Sequence, residues 1–342
     1  MTQAAAAREA AWVAPRGLRL AAPAKVNFGL RVTGRRPDGY HELESLFLPL
    51  SLADELELRL ETAPGGAGGA PELTVEGPAA AGVPADGSNL VARAAASFLR
   101  EAGLAGRRIA IRLHKRVPAA AGLGGGSSDA AAVLRGLDQL LPRALSGEAR
   151  AALALRLGAD VPFFLDLRPA LVRGIGERIE PVEGLPPAAL LLAHPGSGLA
   201  TAAVYRAYDE AGVALTPPGA GSTMRALSRL RGRDGCVRWS RSGPGSGPES
   251  APESGPGAPL ARDALASLLD NDLEPAARRL CPALDGLRER LRASGALAVG
   301  MSGSGPSVFG VFEDEAGARA ALSRISLAPP AWARVVTTMG SA

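Results

Sequence analysis

The feature that most constrains this chain is the glycine-rich run from Pro118 to Ser128, Pro118-Ala119-Ala120-Ala121-Gly122-Leu123-Gly124-Gly125-Gly126-Ser127-Ser128. Before it, Ile109, Ile111 and Leu113 alternate with polar residues as in a strand. After it, Ser127 to Leu141 reads as a helix ended by Pro142. The local fold is therefore strand, loop, helix. Gly122, Gly124, Gly125 and Gly126 lack a Cβ, so the backbone can adopt positive φ and approach a ligand closely. Ser127 and Ser128 fall in the first helical turn, where unpaired N–H groups and the positive end of the dipole suit a phosphate. A glycine turn with a serine cap is the plainer alternative. Strand entry, four glycines in five positions, a double serine and a helical exit together favour phosphate binding. Two familiar nucleotide motifs do not fit. No lysine follows Gly126 as a Walker loop requires, and Ser127 stands where a dinucleotide fingerprint needs its third glycine.

The 342 residues suffice for two domains of ordinary size. Hydrophobic residues make up 46%, much of it alanine, and aromatics only 4%, which describes a globular protein with a small-residue core. Lys25 and Lys115 are the only lysines in a chain with a formal charge of +4. Arginine does not give up its proton near neutral pH, so any site that needs an ammonium must draw on these two. The weakly basic balance suits anionic substrates or a nucleic-acid surface and does not separate them. Cys236 and Cys281 form no CxxC pair, which predicts neither a disulfide scaffold nor a zinc site and fits a reducing cytoplasm. His41, His114 and His194 lie far apart, without ligand spacing. The longest apolar runs, such as Ala188 to Ala193, are strand-sized, so no membrane span is expected.

Residues 1–17 read as a disordered tail. Leu18 to Val32 is strand material with a turn at Pro23, followed by a turn at Arg36-Pro37-Asp38-Gly39. Leu56, Leu58 and Leu60 mark a half-buried strand, and residues 63–71 a loop. Helices are expected over Asn89–Ala102, Ser146–Leu157, Thr201–Ala211, Asp263–Leu280 and Ala283–Ser294, with strands at Leu190–Ala193 and Ala296–Val299. Residues 215–262 look like a mobile insertion. They join an arginine-rich stretch to a Gly/Pro/Ser-rich one, and Trp239 is too little aromatic content to argue for nucleic acid.

Phosphoryl transfer also needs a proton acceptor and a cation near the reacting oxygens. Asp160, in Leu157-Gly-Ala-Asp-Val-Pro162, follows a helix and on its own reads more readily as a turn residue. Lys25 and Asn27 share one side of a strand, where a lysine more often snorkels from an edge. Lys115 reads either as a phosphate contact or as a surface lysine at a strand end.

Together, Pro23-Ala-Lys-Val-Asn27, Pro37-Asp-Gly-Tyr-His41, Pro118 to Ser128, Leu157 to Pro162 and Met301-Ser-Gly-Ser-Gly-Pro-Ser-Val-Phe309 resemble the GHMP kinase superfamily in content and order. The resemblance covers most of residues 18–210 and 262–340. It implies a two-domain α+β fold, with an amino-terminal domain over 18–180 and a carboxy-terminal ferredoxin-like domain over 181–342. It further implies an ATP-dependent kinase in which Asp160 is the base facing the acceptor hydroxyl and Lys25 the accompanying cation, with Asn27 orienting the substrate. Tyr40 and His41 would hold a cytosine, Tyr205 would supply a second aromatic, and Gly303, Ser304 and Gly305 would close over the transferred phosphate. The Tyr40-His41 pair points to the branch whose substrate is a cytidine diphosphate methylerythritol, rather than to homoserine or mevalonate kinases. Mg2+ should accompany ATP, with a hydroxyl from Ser127 or Ser128 and no other protein ligand assigned. A monomer or homodimer is expected. A nucleotide-binding regulator without catalysis is the alternative of another class.

Overall fold

The computed structural model describes residues 16–61, 70–213, 215 and 265–340. Most of the expected tail, the loop at 63–69 and the insertion at 216–262 lie outside the described residues. The described chain groups into two compact units. One holds residues from 16–22, 53–117 and 125–165, the other residues from 23–52, 118–124 and 166–340. The units are interleaved along the chain.

In the first unit, β4 (Arg108–His114) pairs antiparallel with the second half of β2 (His41–Glu61) and parallel with β3 (Glu72–Glu76). The register sets Leu56, Leu58 and Leu60 opposite Leu113, Ile111 and Ile109. These six side chains are buried, each contributing about 1.5–3 kcal/mol relative to exposure. Helix α1 (Leu90–Glu101) is capped by the Asn89 side chain, which accepts from the Val91 N–H at 2.9 Å. Helix α2 (Gly125–Leu140) packs on Leu58 and Leu20 at Gly136, where a Cβ would lie 2.8 Å from Leu20. Helix α3 (Gly147–Leu157) starts at the Ser146 cap and stops at Gly158. A 3-10 turn over Pro162–Leu165 follows, with Phe163 and Phe164 buried edge to face.

β1 (Arg16–Arg35) runs straight through Pro23, so the turn expected there is absent. β1 pairs with β2, and Leu30 on it also bridges to Asn271. The turn at Arg36–Gly39 is present, closed by Gly39 N–H to Arg36 C=O at 3.0 Å with Gly39 at φ +89°.

In the second unit, the first half of β2 pairs with β5 (Ala170–Gly174), which pairs with β6 (Arg178–Pro181). A separate antiparallel sheet has the order β10-β7-β9-β8. Its strands are β7 (Ala189–His194), β8 (Ala298–Met301), β9 (Val308–Phe312) and β10 (Trp332–Thr337). Helices α4 (Thr201–Glu210), α5 (Glu274–Leu280) and α6 (Ala283–Ala293) lie between β7 and β8 in sequence, and α7 (Glu315–Leu322) between β9 and β10. This is the ferredoxin-like arrangement expected from the resemblance. Leu191, Val204, Leu284, Leu287, Val308 and Phe312 form part of its core.

The helix expected over Asp263–Leu280 is broken. Residues 265–268 are helical, the chain then leaves the helix, and α5 begins at Glu274. Local polar bonds win over helix propensity here. Asn271 donates to the Met301 and Gly303 carbonyls at 3.0 and 2.8 Å, and its Oδ1 accepts from Leu273 N–H at 2.9 Å. Leu30 meanwhile bridges the backbone of Asp270 and Asp272, and Asp272 pairs with Arg31 at 3.0 Å.

Candidate active site

The glycine run divides by function. Ala120, Gly122 and Gly124 have φ of +51°, +74° and +68°, so this part needs the left-handed region. Gly125 and Gly126, expected to share that need, are already helical, because α2 starts two residues earlier than its sequence suggests. At Gly125 the lack of a side chain serves space instead. A Cβ on Gly125 would lie 2.9 Å from Val117 Cγ1, whereas one on Gly126 would meet nothing within 4 Å. Four consecutive carbonyls of the loop are tied down. Leu199 N–H donates to Ala120 O at 3.3 Å, Ser307 N–H to Ala121 O at 3.3 Å, Ser302 Oγ to Gly122 O at 2.8 Å, and Lys25 N–H to Leu123 O at 2.9 Å. With the carbonyls so held, the N–H groups of the first turn of α2 are the loop's free polar resource. Ser127 is half-buried near Gly158, whereas the Ser128 hydroxyl is fully buried without a hydrogen-bond partner among the described residues.

A Cβ on Gly122 would collide with the Ser302 carbonyl and lie 2.9 Å from that of Gly305. Gly122→Ala is therefore expected to lower kcat/KM for ATP by about 10- to 100-fold, since small displacements of a positioning loop cost this much. Steady-state kinetics with varied ATP would check it.

Lys25 and Asn27 are both buried, Lys25 at 3% exposure, so the edge-lysine alternative does not hold. Lys25 Nζ donates to Asn27 Oδ1 at 2.5 Å and lies 4.6 Å from the centre of the Phe47 ring. Asn27 is held in turn by Ser45, to which its Nδ2 donates at 2.9 Å, and by Ser302 Oγ, which accepts its backbone N–H at 3.2 Å. Gly303, at φ +58°, lets its loop lie against this pair, since a Cβ there would be 3.4 Å from Lys25 Nζ and 3.2 Å from Asn27 Oδ1. Ser304 Oγ is 3.0 Å from the Thr201 hydroxyl. Lys25, Asn27, Gly122 and Gly303–Gly305 are thus one cluster. Asn271, which holds the Met301–Gly303 backbone, is a member that sequence reasoning missed.

Lys115 is not a surface residue. It is buried at 3% exposure between Asp54, to which its ammonium donates a short hydrogen bond, and Asp129 at 2.7 Å. Asp54 Oδ1 also accepts the N–H groups of Arg116 and Val117 at 2.5 and 2.8 Å. The triad therefore joins the strand end before the glycine run to the first turns of the helix after it. Burial alone would push the Lys115 ammonium down, but Asp129 and Asp54 together hold it above its ordinary value. Burial pushes Asp129 up to about 8, against the opposing pull of Lys115. Two carboxylates share one ammonium, and Asp54 has the additional backbone donors, so the proton resides on Asp129.

Asp160 lies half-buried in the turn between α3 and Pro162, in the same unit as Ser127. In the other unit, Tyr40 is 62% exposed, while the neighbouring His41 side chain is nearly buried. The His41 ring stacks on Tyr205 at 4.9 Å and meets Tyr208 edge-on at 6.1 Å. Its Nε2 is 2.7 Å from Asp209 Oδ1. His41 and Tyr205 are thus brought together by the fold, with Asp209 as a partner that sequence reasoning did not identify.

Among the described residues no helix is long and apolar enough to cross a membrane, and no cluster of three His, Cys, Asp or Glu side chains is placed to hold a metal.

Residues 89–166 match the GHMP kinases N terminal domain model and residues 258–330 the GHMP kinases C terminal model. A 4-diphosphocytidyl-2-C-methyl-D-erythritol kinase of Citrifermentans bemidjiense is 37% identical, over 94% of this chain and 99% of its own. One from Anaeromyxobacter is 43% identical, over 88% and 82%. A crystal structure of 4-(cytidine 5'-diphospho)-2C-methyl-D-erythritol kinase superposes with a TM-score of 0.66 at 38% identity, covering 94% of this chain and all of that one. The homoserine kinase of Cytophaga hutchinsonii, at 18% identity and a TM-score of 0.64, shares the fold. Matches at this identity over nearly the full length of both chains place the protein by sequence and not by fold alone: it belongs to the GHMP kinases, in the family of the 4-diphosphocytidyl-2-C-methyl-D-erythritol kinases.

Proposed function

We propose that the chain transfers the γ-phosphoryl group of ATP to the 2-hydroxyl of 4-diphosphocytidyl-2-C-methyl-D-erythritol, giving ADP and the 2-phosphate, within the non-mevalonate route to isoprenoid precursors. The observation that carries the reading is the Pro118–Gly124 loop, whose carbonyls are pinned to the strand of Lys25 and to the Ser302–Ser307 loop, leading into the open helix start at Gly126. The first-turn N–H groups of α2 take the nucleotide phosphates. Asp160 accepts the proton of the acceptor hydroxyl as its oxygen bonds to the γ-phosphorus and the bond to the β–γ bridging oxygen breaks. The Lys25 ammonium, fixed by Asn27, stabilises the charge that develops on the transferred group.

Magnesium, when bound with ATP, neutralises charge on the phosphate oxygens. The donor set fits that role, because Mg2+ relies mainly on phosphate and water oxygens and needs few protein ligands. Ser127, half-buried at the helix start, is the better placed hydroxyl, since that of Ser128 is fully buried. Tyr40 and His41 receive the cytosine, with Tyr205 backing the His41 ring. The reaction is assigned to the cytoplasm, to a monomer or homodimer, with no nucleic-acid or membrane partner.

ATP consumption with the cytidine diphosphate substrate, set beside homoserine and mevalonate, tests the reading. Turnover is expected with the first alone. Turnover with either of the others instead would move the acceptor, and no turnover with any would leave a non-catalytic nucleotide-binding protein.

A further inference from the structure

Asp209 sits four residues after Tyr205 in α4, on the same helical side, and both reach the His41 ring. Asp209 Oδ1 is 2.7 Å from Nε2, and its Oδ2 is 3.6 Å from Arg35. Tyr205 fixes the plane of the ring by stacking, and Tyr208 closes its edge. Asp209 is therefore the group that decides where the imidazole proton lies. An ionised carboxylate can only accept, so it requires Nε2 to be the protonated nitrogen. Nδ1, which makes no hydrogen bond to any described residue, is left as a lone-pair acceptor in the neutral ring.

We propose that Asp209 is a positioning residue that sets base selectivity, by holding His41 in the tautomer whose Nδ1 accepts from the exocyclic amino group of cytosine. This rests on the reading above, in which His41 faces the base. Cytosine presents an amino donor at that position, whereas uracil presents a carbonyl oxygen, and an acceptor aimed there favours the first and repels the second. Asn at position 209 can turn its amide and donate to Nε2, which releases the tautomer. Ala removes the constraint altogether.

The test measures kcat/KM with the cytidine diphosphate substrate and its uridine counterpart for wild type, Asp209→Asn and Asp209→Ala. For both variants the expected result is a loss of about 2- to 10-fold with the cytidine substrate, the range for a hydrogen bond between neutral groups. The uridine counterpart should be unchanged or improved, and kcat at saturating cytidine substrate largely kept. Equal losses with both substrates would show a purely structural role and overturn the assignment. An unmoved ratio, with wild type active on the cytidine substrate, would also overturn it while leaving the proposed function standing. Wild type inactive on the cytidine substrate would overturn both.

Discussion

Asp160→Asn is expected to abolish turnover, with kcat falling by about two to four orders of magnitude, the usual contribution of a positioned proton acceptor. The substitution is nearly isosteric, so the turn after Gly158 and the buried Phe163–Phe164 pair that anchors it stay in place. Asn cannot take the hydroxyl proton at neutral pH, and the attacking oxygen loses its base. The elements proposed to bind phosphate, Ala120 to Gly126 and the first turn of α2, do not include residue 160. ATP binding, measured by calorimetry, should therefore stay within about threefold of wild type, below the ~1.4 kcal/mol that a tenfold change represents. Near-normal kcat in the variant would remove Asp160 as the base.

Lys115→Met is expected to destabilise the fold by about 3–5 kcal/mol, because it leaves buried carboxylate charge without its cation. Asp54 is the residue that suffers. It has no exposure, and its remaining donors are the Arg116 and Val117 N–H groups. Asp129→Asn should behave differently, since Asp129 carries the proton and Asn resembles the neutral acid; a change within about 1 kcal/mol is expected. Urea unfolding at pH 7 separates the two variants, and equal destabilisation would refute the protonation assignment. The pH dependence gives an independent check. The folded pKa of Asp129 is raised from 3.8 to about 8, so between these values the native state holds a proton that the unfolded chain has released. Stability from this group is then greatest on the acid side and declines as pH rises from about 4 to about 8. Asp129→Asn should flatten that slope.

Much of the site was readable because its parts are local. The glycine run, the Pro-Asp-Gly turn and the Ser146 cap depend on backbone freedom or on bonds a few residues apart, which neighbouring sequence specifies. One further residue was legible but unread. Asp54 shares parity with Leu56, Leu58 and Leu60, and a carboxylate on the inward side of a strand demands a buried cation. That demand would have moved Lys115 from the surface to the interior. Asn271 and Asp209 offered no such signal, because their partners Gly303 and His41 are remote in sequence.

For the glycine run itself, the sequence alone determined that a strand would pass through a turn into a helix able to receive a phosphate. Gly122 and Gly124 meet a backbone requirement and Gly125 a spatial one, and only the tertiary structure could assign them. Positive φ at Gly122 and Gly124 is a property of the turn, but the contact that forbids a side chain on Gly125 comes from Val117. The sequence likewise named Lys25 and Lys115 as the chain's only ammonium groups. Burial separated them. Asn27 Oδ1 accepts from the first, within the cluster that holds Gly122 and Gly303, whereas Asp54 takes up the charge of the second inside the fold.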